Sequence, residues 1–300
     1  MYNGARYLER ALESLLGQTY RDIEVCISDN ASTDETPEII RRFAERDPRV
    51  RYLLNEANRG LVENHRRVLA MARGDYFMFA PHDDWFADDY VERCVAALDA
   101  EPEVAYVHAE TTLVDESGEV VARELTRQRL QDPSPSRRYW DMLVVQGGVN
   151  WYGMARRSLF DRIAPYKPLP RSERIILTEL ALQGPFRLLP DSLYFRRVHE
   201  GQATALRRSR QAETRVLDPR RTGWRTTEFV LVAEYALGFL SAIFRAPIDT
   251  SERLRCIRGY ARWLLAHVPG LRLADPRTRS LAIEQTGSAM LPEGRTGIGY

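Results

Sequence analysis

The apolar run Phe77-Met78-Phe79-Ala80-Pro81 ends in His82-Asp83-Asp84, a histidine and two adjacent carboxylates. Burying Phe77 and Phe79 is favourable and burying an unpartnered carboxylate is not, so the segment reads as a strand that stops where the acids begin. Acids at the carboxyl end of a strand lie on the edge where open α/β sheets bind their ligands. Two carboxylates there suit a hard divalent cation, which takes oxygen ligands and shares them with substrate phosphates. An Asp pair after a strand also serves as a helix N-cap, and the segment Asp88 to Leu98 is the helix that Asp83 or Asp84 would cap.

A second polar turn, Ser28-Asp29-Asn30-Ala31-Ser32-Thr33-Asp34, follows another short strand and leads into a helix, so it belongs to the same ligand edge. Asp29 can accept hydrogen bonds from a base or a ribose there. Asp29 and Asn30 are equally the residues that shape a turn.

The elements that must position these groups follow from periodicity. Leu8, Ala11, Leu12, Leu15 and Leu16 give Ala5 to Leu16 a helical apolar face, closed by Gly17. Ile23 to Ser28 reads as a strand. Ser32 and Glu35 have capping-box spacing and predict a helix running to about Glu45. Val50 to Leu54 reads as a strand, Leu61 to Ala72 as a helix, Tyr76 to Ala80 as a strand, Tyr90 to Leu98 as a helix and Val104 to Glu110 as a strand. This alternation predicts an α/β fold, a mostly parallel sheet with helices on both faces. Val114 to Val120 has the form of a hairpin turn. The polar, proline-containing stretch Gln128 to Arg138 reads as a mobile loop, and Trp140 to Val145 and Arg157 to Ile163 read as helices. Glu173 to Gln183 predicts a helix ending at Gly184, and Phe186 to Leu189 and Leu193 to Arg197 two short strands. From about Gln202 the pattern is helical, in Thr226 to Phe244 and Ser251 to His267, and the stretch after Pro269 reads as a loosely ordered tail.

Composition bounds the function. Three hundred residues with 44% hydrophobic and 28% charged side chains fit one large soluble domain with an appendage. A net charge of +1 gives no electrostatic argument for nucleic acid as a partner. Lys167 is the only lysine, so the basic surface is arginine throughout. Cys26, Cys94 and Cys256 are odd in number, widely spaced and without metal spacing, which points to a reducing compartment. The opening Met1-Tyr2-Asn3-Gly4 lacks the basic-then-apolar run of a signal peptide, so the expected location is cytoplasmic. The longest apolar stretch, Phe229 to Phe244, is interrupted by Glu234 and falls short of the roughly 20 residues of a membrane span. It reads as a buried or partner-facing helix. Arginines crowd the preceding segment from Arg207 to Arg225, which adds peripheral contact at the inner face of a membrane to the expectations.

Taken in order along the chain, several stretches resemble family 2 glycosyltransferases of the GT-A fold. They are Tyr2-Asn3-Gly4-Ala5-Arg6-Tyr7-Leu8 leading to Leu15-Leu16-Gly17-Gln18-Thr19-Tyr20; Asp29 to Thr36; Asn58-Arg59-Gly60-Leu61 with Asn64; Gly74-Asp75-Tyr76 running into His82-Asp83-Asp84; and Glu173 through Leu180 to Gly184, followed by Tyr194 to His199. The resemblance covers about residues 2 to 205. It implies a catalytic and nucleotide-sugar-binding domain at 1–205, a helical region at 206–270 and a tail at 271–300.

The resemblance also implies roles. Asp29 falls where the family's first acid contacts the nucleotide base, with Asn30 where many members carry a second Asp; Asn58 and Arg197 join the donor-binding set. Asp83 falls on the last Asp of the Asp-x-Asp motif that binds Mg²⁺ or Mn²⁺ under the donor diphosphate, while Pro81 stands in place of the first. Asp84 is expected to be structural. His199 falls where members place a histidine near the metal or the diphosphate; imidazole is a weaker partner for Mg²⁺ than carboxylate, so both contacts stay open. Glu173, at the start of its helix, matches the catalytic base, with Glu179 as its rival. Arg171, Arg174 and Arg196 surround this region, and Trp151-Tyr152-Gly153 lies where the acceptor pocket is built. The implied donor is a nucleoside-diphosphate sugar, UDP first, and the acceptor a glycan or lipid-linked sugar of a bacterial cell-surface polysaccharide. The family's sheet begins with an apolar strand just before the Tyr-Asn-Gly segment, and this sequence starts at that point, so a 5′-truncated reading frame is expected. Competing with a transferase are a non-catalytic remnant of the same fold, favoured by Pro81, and a nucleotidyltransferase, which would need a glycine-rich basic phosphate loop near the start.

Overall fold

A computed structural model describes residues 1–126, 128–145, 151–199 and 210–267. In chain order the elements are α1 (Ala5–Leu16), β1 (Val25–Asp29), α2 (Thr36–Arg46), β2 (Val50–Leu54), α3 (Leu61–Met71), β3 (Tyr76–Met78), β4 (Trp85–Phe86), α4 (Tyr90–Ala100), β5 (Tyr106–Val114), β6 (Val120–Glu124), α5 (Pro135–Val144), β7 (Met154–Arg156), α6 (Arg157–Phe160), α7 (Glu173–Gln183), β8 (Phe186–Arg197), α8 (Arg210–Leu217), α9 (Glu228–Arg245) and α10 (Thr250–His267). The tail expected at 271–300 lies outside the described residues.

The α/β class stands, but the sheet is mixed rather than mostly parallel. β1 and β2 pair in parallel as a two-stranded unit, with Val25 opposite Val50 and Asp29 opposite Leu54. The larger sheet runs β3-β7-β5-β8-β4, with β6 beside β5. Within it only β5 and β8 are parallel. The reason is local. β6 returns on β5 through the Asp115 to Gly118 turn, where Gly118 sits at φ +95°, and the three-residue β7 inserts antiparallel between β3 and β5. Short returning strands of this kind need no crossover helix, so the periodicity that marks parallel units never registers them.

Alternation divides β1 between two faces. Val25 and Ile27 pack with Leu8, Leu12, Ile39 and Ile40 of α1 and α2. Ser28, on the other face, meets Asn64 of α3. Met1 continues the pairing beside β1: its amino nitrogen donates to Ser28 O at 2.8 Å and its carbonyl accepts from Asn30 N at 2.8 Å. A cavity of about 1040 Å³ runs between β1 and β3, lined by Val25 to Ser28 on one side and Tyr76 to Phe79 on the other, and opens onto His82, Asp83, Asp84, Arg171 and Glu173.

Other expectations change in detail. The Gln128 to Arg138 stretch is a loop only as far as Ser134; Pro135 then occupies the first turn of α5, where its missing N–H costs nothing. Arg138 is buried there and donates to the carbonyls of Ala181, Asp132 and Pro133. The two short strands expected around Pro190 are one, β8, whose register against β5 jumps from Ala109–Leu189 to Glu110–Ser192. The slip passes over Pro190, which has no N–H to give the ladder. At the far end α5, α7, α9 and α10 share one apolar cluster built on Tyr139, Leu169, Ile175, Phe239, Ile243 and Tyr260. Gly238 lets α9 approach α7 closely, since a Cβ there would stand 2.5 Å from Ile175 Cδ1.

Candidate functional site

Asp83 and Asp84 end the β3 segment without capping a helix: α4 starts at Tyr90, with Asp89 at its N-cap position. The two carboxylates have opposite surroundings. Asp84 is buried, accepts the Tyr194 hydroxyl and accepts the Arg197 backbone N–H at 2.8 Å. Burial, and then the charge of adjacent Asp83, pushes its carboxyl up to about 7. Its oxygens are committed to β8, which makes Asp84 the group that fixes the turn. Asp83 instead faces His199, with Oδ2 3.0 Å from Nε2, and its side chain is 16% exposed.

His199 and Asp83 are 116 residues apart and meet because β8 runs back alongside the β3–β4 turn. Arg197 secures that approach. Its guanidinium donates to the carbonyls of Asp83, Asp115 and Glu116 at 3.2, 3.4 and 2.7 Å, and lies over the rings of Tyr7 and Trp85. Its contacts are therefore with the turns that carry the acids. The Tyr7 ring also packs on His199, with centroids 4.9 Å apart. His82 lies over Gly4, where a Cβ would fall 2.4 Å from the imidazole, so the Asn3-Gly4 corner requires glycine.

The β1 end is a hydrogen-bonded turn. Asp29 is 1% exposed and accepts both the backbone N–H and the hydroxyl of Ser32. Ser32 is thereby drawn away from helix capping. It accepts the Asn3 N–H as well, and α2 starts only at Thr36 without a side-chain cap, so the expected capping box does not form. Asn30 Nδ2 donates to Asn58 Oδ1 at 2.8 Å, which brings two of the sequence-predicted residues together, and Asn30 Oδ1 accepts from the Arg59 N–H.

Asn64, named in the sequence only as part of a motif and given no role there, is the hub. Its Oδ1 accepts from Ser28 Oγ at 2.8 Å and Asn55 Nδ2 at 2.9 Å, and its Nδ2 donates to Ser28 O at 2.8 Å. An asparagine on the apolar face of an otherwise regular helix, opposite a strand serine, was the available signal.

Glu173 opens α7 on the wall of the same cavity as Asp83, beside Arg171 and Arg174. Its place is set by a tight turn: Ser172 is 1% exposed, its hydroxyl donates to Lys167 O at 2.6 Å, and Arg171 is held at φ +59°. A non-glycine residue in that conformation carries strain that the surroundings must sustain, a recurrent feature next to functional groups. Arg174 turns away to the carbonyls of Met142 and Val145. Glu179 is different in kind. It is 3% exposed, paired with Arg245 and accepting the Ala164 N–H at 2.8 Å, and it does not line the cavity. Trp151 stacks on Phe79 with centroids 5.0 Å apart, and His65 packs edge-on to Phe79 and Tyr166, forming an aromatic wall to the cleft.

Among the described residues no three or more His, Cys, Asp or Glu side chains form a metal cluster. One carboxylate, Asp83, lines the cleft and pairs with one imidazole, His199, beside it. That donor set suits a cation whose remaining ligands come from substrate phosphates and water.

Comparison with known proteins bears on the family and the fold. A family model described as Glycosyl transferase family 2 matches residues 1–164. The chondroitin synthase of Pasteurella multocida (strain Pm70) is 32% identical over 134 residues, 43% of this chain and 14% of that protein. An uncharacterized glycosyltransferase of a Nostoc species is 28% identical over 208 residues, 66% of this chain and 62% of that protein. The chain thus spans less than a fifth of the length of the chondroitin and hyaluronan synthases it matches. Among solved structures, S. aureus TarS 1-349 in complex with UDP-GlcNAc superposes with a TM-score of 0.63 at 16% identity, covering 95% of this chain and 77% of that one. The mannosyltransferase PcManGT from Pyrobaculum calidifontis, in complex with GDP-Man and Mn²⁺, gives 0.53 at 21% identity, covering 95% and 84%.

Proposed function

The chain belongs to glycosyl transferase family 2 and has the GT-A fold, and we propose that it moves a hexosyl unit from a nucleoside-diphosphate sugar, UDP first, to a hydroxyl of a glycan or lipid-linked acceptor, with inversion. The observation that carries this reading is the pairing of His199 with Asp83, which lines the same cavity as Glu173.

In this reading residues 1–205 form the catalytic domain. Asp29, Asn30 and Asn58 receive the base and ribose at the β1 edge. Asp83 Oδ2 and His199 Nε2 would hold Mg²⁺ or Mn²⁺ together with the donor diphosphate. Such an ion offsets the charge that builds on the leaving group. Arg197 acts by fixing the Asp83 and Glu116 carbonyls rather than by reaching the phosphates. Glu173 accepts the proton of the acceptor hydroxyl as that oxygen bonds to the anomeric carbon. The bond from that carbon to the diphosphate oxygen breaks on the opposite side, and its electron pair leaves with the nucleotide. A single displacement of this kind inverts the anomeric centre.

The aromatic wall of Trp151, Phe79 and Tyr166 supplies the apolar side of the acceptor subsite. The relatives named as polysaccharide synthases support assembly of a bacterial cell-surface glycan, and a lipid-linked acceptor would place the work at the cytoplasmic face of the membrane.

Calorimetric titration with UDP, dTDP and GDP, each with and without Mn²⁺, tests the donor site on this chain and on Asp83→Ala. The expected result is tight binding of one nucleotide that needs both Mn²⁺ and Asp83. A folded chain that binds none of them would instead be the non-catalytic remnant.

A further inference from the structure

α9 is apolar around most of its circumference, yet it is packed on one face only. Leu231, Phe239, Ala242 and Ile243 are buried against α7 and α10, while Phe229 is 82% exposed, Leu237 57% and Phe244 61%. The spacing Phe229, Ala233, Leu237, Phe244 places these side chains on a single stripe that runs about 22 Å along the helix, with Leu240 beside it partly buried on the core. Two charged side chains of α9 are engaged, Glu234 with Arg221 and Arg245 with Glu179, and the third, Glu228, lies in the exposed first turn. Just before the helix Trp224 is 72% exposed, beside Arg225.

Charge says what covers this face. Residues 220–267 hold eight arginines and four acids, a surplus of four in a chain whose net charge is +1. Arg225, and Arg258 and Arg262 of α10, are exposed, and no carboxylate among the described residues pairs with any of them. A second copy docking through the same patch would bring these arginines against themselves. The segment 268–300 carries four arginines and three acids, so it offers no complementary charge either. An apolar stripe with aromatic ends, on a helical region that carries unpaired exposed arginines, matches the interface of an anionic bilayer, with the helix lying in the plane. No helix among the described residues is long and apolar enough to cross a membrane.

We propose that α9 and the Trp224-Arg225 turn form a docking surface for an anionic lipid bilayer. The inference stands on this end of the molecule and does not depend on the transfer chemistry.

The test is co-sedimentation of the full chain with vesicles of phosphatidylcholine alone and of phosphatidylcholine with phosphatidylglycerol, with no donor present. Light scattering gives the oligomeric state without vesicles. The full chain is expected to partition onto the anionic vesicles roughly tenfold more strongly than onto the neutral ones, as an interface with both apolar and cationic parts requires. The combined variant Phe229→Ser, Leu237→Ser, Phe244→Ser loses that partition. The variant Arg225→Glu, Arg258→Glu, Arg262→Glu, which leaves every packed residue in place, loses the preference for anionic lipid. Equal partition of wild type and either variant overturns the proposal. So does a wild type that stays in the supernatant, or a dimer that the serine variant converts to monomer. Since no nucleotide sugar enters the assay, its failure leaves the donor site untouched, and failed nucleotide binding leaves it unaffected.

Discussion

The β1 edge of the cleft and the α5–α10 end of the molecule both bury polar groups, but of different kinds. At β1 the hub of the network is neutral: Ser28, Asn30, Asn55, Asn58 and Asn64 exchange hydrogen bonds with one another and with the backbone, and the charged Asp29, Arg67 and Met1 amino group join it at the edges. At the helical end the buried partners are charged: Glu179 meets Arg245, Arg138 meets three carbonyls, and Glu252 accepts from Ser134 and Ser136. Neutral amides trade partners at little cost, which suits an edge proposed to accept a base and a ribose. A buried charge that loses its partner is expensive, which suits a scaffold that must not move. Glu173 and Glu179 sit on the same helix and fall on opposite sides of this divide.

That pair gives the sharpest test. Glu173→Gln is expected to lower kcat by about 10²–10⁴-fold, the usual worth of a positioned base, with the urea midpoint unchanged. Glu179→Ala should do the reverse. It leaves the Ala164 N–H without an acceptor and Arg245 with only Ser241 Oγ, and about 3 kcal/mol of stability is lost in urea unfolding while kcat per folded molecule holds. Arg245 is 38% exposed and can rehydrate, which keeps the cost at the lower end. If both substitutions reduce kcat without affecting stability, the division between site and scaffold is wrong.

The next effect is a pH dependence. Burial pushes His65 and His108 down to about 4 from an ordinary 6.5. Below 6.5 the unfolded chain takes up protons that the native state refuses, so this contribution is complete above 6.5 and is lost as pH falls toward 4. Each group is worth about 3 kcal/mol over that window. Asp84, raised to about 7, acts in the opposite sense: its contribution is complete at acid pH and is lost as pH rises from about 4 to 7. The His108→Gln variant separates the two, since its stability should fall less steeply below pH 6.5 than that of wild type.

Smaller again is Asn64→Ala, expected to cost about 2 kcal/mol by leaving Ser28 and Asn55 without their shared acceptor, and to weaken nucleotide binding in the same titration. Glu9→Ala, which removes the exposed partner of Arg42, should shift the urea midpoint by less than about 0.5 kcal/mol. A larger loss there would mean that surface pairs, and not only buried ones, hold the β1 half together.

Much of this was legible along the chain. Helical spacing placed α1, α3, α4 and α7, and the end of the Phe77 to Phe79 run marked where acids must surface. What misled was local chemistry with more than one solution. Ser32 has capping spacing to Glu35, but Asp29, only three residues earlier, is a competing acceptor for its hydroxyl. Asp83 and Asp84 are equivalent as letters. The long return of β8 buries one against Tyr194 and leaves the other facing His199.

The sequence by itself determined most of the helices and the strands β1, β2, β3 and β5, that acids stand at strand ends, and that Glu173 opens a helix, because each follows from periodicity and burial within a dozen residues. Tertiary structure decided the mixed strand order, the meeting of Asp83 with His199, the role of Asn64 and the solvent-facing stripe of α9. Each of these depends on which surfaces face each other across more than thirty residues, and hydrogen-bond geometry and packing, not local pattern, settle that choice.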